Sequence, residues 1–168
     1  VIKEALDKFG FIYGLVNIAG AFTWKTISET SLDDINDMFD ANFKTCFNMT
    51  KAILPHLKTG RIINIGAMGA INPDMGMASY GISKSAVMRF TEVLSKETSN
   101  DITVNAILPS IIDTIQNRND MPDANPKTWV TTTEIANQIS FLLSNVANST
   151  NGQLIPMTSE TTKEYENV

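Results

Sequence analysis

Tyr80 and Lys84 stand four residues apart in the run Tyr80-Gly81-Ile82-Ser83-Lys84. In a helix that spacing puts both side chains on one face, close enough to interact. A phenol ordinarily ionises near ~10, and a neighbouring ammonium favours its ionised form. The pair can therefore move a proton near neutral pH, with Tyr80 as donor or acceptor and Lys84 as its electrostatic tuner. The same spacing also describes a solvated helical pair without chemistry, and the pair alone does not choose between the two. Other chemistries lack raw material. One cysteine, Cys46, excludes an intrachain disulfide, and with His56 the single histidine, neither a Cys/His zinc site nor a Ser-His-Asp triad is well supplied.

The elements that must position this pair follow from apolar periodicity and its punctuation. Val1–Gly10 reads as helical turns (Val1, Ile2, Ala5, Leu6, Phe9) stopped by Gly10. Phe11–Ile18 is an apolar run bounded by glycines, as a buried parallel strand would be. Ser31 with Asp34 forms a capping-box pattern, which predicts a long helix over 31–58 with Leu32, Ile35, Phe39, Phe43, Cys46, Phe47, Ile53, Leu54 and Leu57 on its apolar face. Arg61–Gly66 reads as a second strand, followed by a glycine-rich loop to Gly76. Ser79–Thr98 reads as the helix that carries Tyr80 and Lys84, with Ala86, Val87, Phe90, Val93 and Leu94 as its stripe. Ile102–Leu108 is a third strand, stopped by Pro109. A polar loop to Thr131, a helix over Thr133–Asn145 and a strand over Gly152–Met157 precede a polar tail.

Strands alternating with helices imply one α/β domain over residues 1–168, a doubly wound parallel sheet covered on both faces. A hydrophobic fraction of 43% with 18% charged residues is that of a globular chain. A net charge of −5 argues against nucleic acid as a partner, since that binding rests on Lys and Arg neutralising phosphates. No apolar run approaches the roughly 20 residues that span a bilayer. The expectation is a cytoplasmic protein acting on a small molecule, away from membranes and without a metal.

Several segments, in order along the chain, resemble the short-chain dehydrogenase/reductase family. Asn17-Ile18-Ala19-Gly20 resembles its N-N-A-G motif with Ile18 for the second Asn, and Asn42 falls where the family has a catalytic Asn. Arg61–Ile65 resembles the strand that leads to the catalytic serine. Tyr80 and Lys84 match its Y-x-x-x-K pair, and Pro109-Ser110-Ile111-Ile112-Asp113-Thr114 resembles its P-G-x-V-x-T segment with Ser110 for Gly. The resemblance implies a Rossmann-type fold and an NAD(P)H cofactor. It implies Tyr80, Lys84 and Asn42 as catalytic residues, Asn42 holding a water in the proton relay. Asn17, Ala19, Gly20, Pro109, Ile112 and Thr114, with Tyr80 and Lys84, would contact the cofactor. A homodimer or homotetramer, packed through the two long helices, is implied as well. In open α/β sheets ligands sit beyond the C-terminal strand ends, where these motifs are expected to converge.

Two departures shape the expectations. No glycine-rich phosphate loop is found, and in the family's strand order 3-2-1-4-5-6-7 the strand at Phe11–Ile18 would be the fourth. The resemblance thus implies that this is the C-terminal two-thirds of the domain, with roughly 70 to 80 further residues of β-α-β-α-β ahead of Val1. The residues that choose NAD or NADP would lie there. The second departure is Ala67, thirteen residues before Tyr80, where the family has its serine. The dihydropteridine reductase branch also lacks that serine. The sequence is similar to it at Gly66-Ala67, Gly76-Met77, Leu108-Pro109, Asn117-Arg118-x-x-Met121-Pro122, Trp129 and the ending Leu154-Ile155…Thr158-Ser159-Glu160.

Three readings follow. The first is a reductase transferring hydride to a quinonoid dihydropterin or similar ring. The second is a carbonyl or alcohol enzyme with an altered site. The third is a non-catalytic dinucleotide-binding scaffold or sensor, for which Ala67 is the motive. Phe22, Trp24 and Trp129 are candidates to stack on a flat substrate, or else core residues. Arg118 is a candidate phosphate ligand, or else a solvated side chain.

Overall fold

A computed structural model describes residues 1–159, and the expected tail with Glu160 lies outside the described residues. Four parallel strands form the sheet: β1 (Gly14–Asn17), β2 (Gly60–Ile65), β3 (Ile102–Pro109) and, last among the described residues, β6 (Leu154–Met157). Their order is β1-β2-β3-β6, which matches strands four to seven of the expected arrangement, with β1 at one edge. Register runs Gly14↔Arg61 to Asn17↔Asn64 and Gly60↔Ile102 to Ile65↔Ile107. Every residue of β3 is buried, as a parallel strand covered on both faces must be.

Side-chain alternation divides the core between those faces. Ile62 and Val104 pack with Leu57 and Leu94 under α3 (Thr45–Ile53) and α4 (Ala78–Glu97). Ile63 and Ile107 pack with Leu142 under α6 (Thr132–Leu143). Ala106 and Leu108 turn to Met88 of α4. The N-terminal helix α1 (Ile2–Phe9) ends at Gly10, whose φ of 78° lets its N–H reach Leu6 O, and it buries none of its residues.

The capping boxes form. Ser31 Oγ accepts from Asp34 N–H while the Asp34 carboxylate accepts from Ser31 N–H, which starts α2 (Leu32–Met38). Thr131 and Glu134 do the same for α6.

Three expectations need correction. The helix over 31–58 is not continuous: α2 passes through a π-helical stretch, Phe39–Lys44, into α3 and then a 3-10 turn, Leu54–His56. Its buried face is Met38, Asn42, Cys46, Thr50 and Ile53, while Leu32 and Phe47 are exposed. The strand expected over Phe11–Ile18 is only Gly14–Asn17, with Phe11 and Ile18 exposed. The polar loop up to Thr131 contains a two-stranded parallel sheet, β4 (Ile112–Asp113) with β5 (Val130–Thr131), and α5 (Ile115–Asp120) between them. Trp129 is 4% exposed and belongs to the core, not to a stacking surface.

Candidate active site

Beyond the C-terminal ends of β1, β2 and β3 lies a cavity of about 280 Å³. Its lining includes Gly20, Asn42, Tyr80, Lys84, Pro109 and Ile112, which sequence reading expected to meet, together with Ile18, Phe22, Gly66 and Ser110. A larger cleft of about 670 Å³ lies across the 71–77 loop and holds none of Tyr80, Lys84 or Asn42. The smaller cavity is where the chemistry-bearing groups converge.

The α4 helix delivers Tyr80 from its first turn and Lys84 one turn later. Lys84 Nζ donates to Ile65 O at the end of β2, 2.9 Å away, so the ammonium is tied to the sheet. Burial holds its pKa down at about 8. The Tyr80 phenol moves the other way: burial pushes it above its ordinary value. This departs from the expectation that Lys84 lowers it. The ammonium is bonded to Ile65, and burial disfavours the phenolate. At neutral pH the phenol therefore keeps its proton. The Phe22 ring covers it edge-on, with centroids 4.9 Å apart.

The π-helical stretch accounts for Asn42. There Thr45 N–H bonds to Asp40 O instead of Ala41 O, and the Thr45 hydroxyl takes up the released Ala41 O at 2.6 Å. The extra residue in the turn sets the Asn42 amide inside the molecule. Its Oδ1 accepts from Ala21 N–H (2.9 Å), and its Nδ2 donates to Ala21 O and Ser83 Oγ (both 3.0 Å). Ser83 in turn donates to Tyr80 O at 2.7 Å. Asn42 thus fastens the loop after β1 to the helix that bears Tyr80. From the sequence Ser83 flanks Tyr80 without standing where the family has its serine, and its role as the link from Asn42 to Tyr80 O comes from the fold.

Gly20 completes the packing. A Cβ there would lie 2.5 Å from Asn42 Oδ1 and 3.2 Å from Lys84 Nζ, so only glycine lets the chain pass. Two further loops meet beside the cavity. Lys25 N–H donates to Gly76 O, and the Trp24 indole sits where a Gly76 side chain would be, so Trp24 joins loops instead of standing free.

Asn17, Ala19 and Thr114, expected to contact the cofactor, stand outside the lining of this cavity. The Asn17 amide donates to Asn64 Oδ1 (2.8 Å) and Thr50 Oγ1 (3.2 Å), in the layer between sheet and helix. Asn17 and Ala19 line a neighbouring cavity of about 210 Å³. The Thr114 hydroxyl caps α5, accepting from Asn117 N–H at 3.1 Å. Arg118 forms a two-bonded pair with Asp113, at 2.6 and 2.8 Å. Ala67 is buried and offers no hydroxyl. Cys46 donates to Asn64 Oδ1, and burial pushes its thiol up to about 11, which keeps it unreactive.

Among the described residues no cluster of His, Cys, Asp and Glu could hold a metal ion, and no helix is long and apolar enough to cross a membrane.

Comparison with known proteins agrees with this geometry. The short chain dehydrogenase family matches residues 1–125. The 3-oxoacyl-[acyl-carrier-protein] reductase of Synechocystis sp. is 37% identical over 123 residues, covering 71% of this chain and 50% of that one. That of Staphylococcus epidermidis is 33% identical over 171 residues, covering 92% and 68%. The chain thus spans half to about two thirds of these relatives. A short-chain dehydrogenase/reductase from Brucella melitensis superposes with a TM-score of 0.87 at 28% identity, covering 93% of this chain and 67% of the other. With its parallel sheet, its Tyr80–Lys84 pair at the sheet's C-terminal edge and these relatives, the chain belongs to the short-chain dehydrogenase/reductase family.

Proposed function

We propose that this protein is an NAD(P)H-dependent reductase of a small carbonyl compound, with a 3-oxoacyl thioester as the first candidate. The observation that carries the reading is the convergence of a protonated, half-buried Tyr80 phenol, the Lys84 ammonium and the Asn42 amide on one cavity. The names of the relatives favour the thioester over the dihydropterin.

The cavity fits the nicotinamide end of a dinucleotide. Ile18, Pro109 and Ile112 supply apolar walls. Of the three protons on the Lys84 ammonium, Ile65 O accepts one, which leaves two for ribose hydroxyls. Bound there, the reduced cofactor would supply a hydride equivalent. Tyr80 would give its proton to the oxygen that gains negative charge, and burial keeps that proton in place until it is needed. Lys84 would hold the ribose and favour the phenolate that remains. Asn42 would act by fixing the Ala21 loop and, through Ser83, the first turn of α4.

A quinonoid dihydropterin is the second substrate reading, favoured by the absence of a hydroxyl at Ala67, because reduction of an electron-poor ring leaves no oxyanion to stabilise. Assembly as a homodimer or homotetramer belongs to the same proposal. Phe43 of the π-helical stretch, Phe47 of α3 and Phe90 of α4 form a partly exposed cluster, and Ile82 and Val93 of α4 are exposed as well.

The test is NADH and NADPH oxidation with acetoacetyl-CoA, quinonoid dihydropterin and simple ketones as acceptors. Acetoacetyl-CoA should be turned over, and Tyr80→Phe should reduce turnover by at least a hundredfold with cofactor affinity nearly intact. Turnover of the pterin alone would select the second substrate. Bound cofactor with no turnover of any acceptor would replace the reading by a dinucleotide-binding scaffold or sensor.

A further inference from the structure

The site lacks a hydroxyl at Ala67, beside Gly66 of the cavity wall, and has gained one at Ser110 in the same wall. These are two departures from one family pattern, a serine lost and a glycine replaced by serine, and they fall on a single cavity.

The fold explains where the new hydroxyl lies. Ser110 directly follows β3, and its N–H donates to Met157 O at 2.9 Å, which fixes the chain there against β6. Side chains alternate along a strand, and Ala106 and Leu108 both turn to α4. Ser110, just past the end of that strand, lines the same cavity as Tyr80.

Tyr80 and Ser110 are the hydroxyl-bearing residues in the cavity lining. The Asn42 amide is committed to Ala21 and Ser83, and the Ser83 hydroxyl lies between Asn42 and Tyr80 O. Ser85 donates to Ala70 O. The half-buried Ser110 hydroxyl makes no hydrogen bond among the described residues.

We propose that Ser110 donates the hydrogen bond that holds the substrate's carbonyl oxygen, replacing the hydroxyl absent at position 67. This rests on the reductase reading. The reduced dinucleotide, when bound, would supply the hydride for the carbonyl carbon and be left oxidised, while the C=O π pair would move onto oxygen. That oxygen would take the Tyr80 proton, and solvent would reprotonate the phenolate. Ser110 would hold that oxygen beside Tyr80 throughout and would itself lose no proton.

The experiment compares wild type, Ser110→Ala, Ser110→Thr and the double variant Ser110→Ala/Ala67→Ser. It follows acetoacetyl-CoA reduction and measures the affinities of NADPH and of the product 3-hydroxybutyryl-CoA by calorimetry. Removing one such donor should lower kcat by about a hundredfold. Affinity for 3-hydroxybutyryl-CoA should also weaken, while NADPH affinity stays within twofold. Ser110→Thr should retain most activity, and Ala67→Ser should restore at least tenfold in the Ser110→Ala background. An active wild type with Ser110→Ala unchanged overturns the Ser110 role alone. Loss of activity with weakened NADPH affinity and no rescue by Ala67→Ser overturns it in favour of a merely structural serine. A wild type that binds NADPH but reduces no acceptor overturns the reductase reading, and this proposal falls with it.

Discussion

Lys84 and Tyr80 were visible in the sequence as a spacing, but what burial does to each was not. Their helix spacing predicted contact and a phenol lowered by the ammonium. The folded environment instead ties the ammonium to Ile65 O and pushes the phenol up. Spacing speaks of neighbours on one helix, whereas the desolvation and the carbonyl partner both come from the sheet beneath. The shift of Lys84 from 10.5 to about 8 has a consequence for stability. Below pH 8 the lysine is charged in both states, and the folded state bears the full cost of burying it. Between pH 8 and 10.5 the unfolded chain holds the extra proton, so stability from this group rises with pH and levels off above 10.5. The full swing is roughly 3 kcal/mol, an order-of-magnitude figure. Denaturant unfolding of wild type and Lys84→Met across pH 7 to 11 checks it: the wild type should gain on the variant over that window. Parallel curves would show that the ammonium is better solvated than its burial indicates.

Elements were legible wherever local chemistry sets them. The Ser31–Asp34 and Thr131–Glu134 capping boxes need only residues three apart, and α4 and β3 each begin and end within a residue of the sequence expectation. The π-helical stretch was not legible. Its residues, Phe39–Lys44, include no proline or glycine, and what favours it is the distant pair of bonds from Asn42 to Ala21 and Ser83. The inward face misled for a related reason. Asn42 and Thr50 are buried polar residues, so the apolar stripe through Phe39, Phe43 and Phe47 read as the core face, although it lies only partly buried. The joining of the two loops at Gly76 was likewise hidden, because it needs a tryptophan fifty-two residues away. Gly76 has a φ of 80°, and a Cβ there would come within 2.3 Å of the Trp24 ring. Gly76→Ala should therefore cost about 1–3 kcal/mol in denaturant unfolding. Trp24 fluorescence should also shift toward that of a solvated indole, even where the protein stays folded. Unchanged emission would mean that the loops yield without parting.

At the scale of the whole molecule, the sheet and one helical layer are joined by a buried polar network where an apolar contact would be expected. Asn64, fully buried on β2, accepts from Asn17 of β1 and Cys46 of α3 and donates to Thr91 of α4, which bonds onward to Val87 O. Four elements thus share one side chain. Asn17, expected from its motif to contact the cofactor, also contributes its amide to this network, a partnership that the motif at a strand end does not reveal. Hydrogen bonds of this kind add modest net stability when satisfied, but an orphaned buried partner costs about 1–3 kcal/mol. Asn64→Leu keeps the branching at Cγ while leaving the Cys46 thiol without an acceptor, Asn17 with Thr50 alone and Thr91 without its donor. It should destabilise by about 2–4 kcal/mol in urea unfolding. Adding Thr91→Val removes one of the orphaned groups, so the double variant should lose less than the sum of the two single losses, by about 0.5 kcal/mol or more. Strict additivity would mean that the two side chains act separately. In that case the apolar clusters on either face, and not the network, would hold the sheet to its helices.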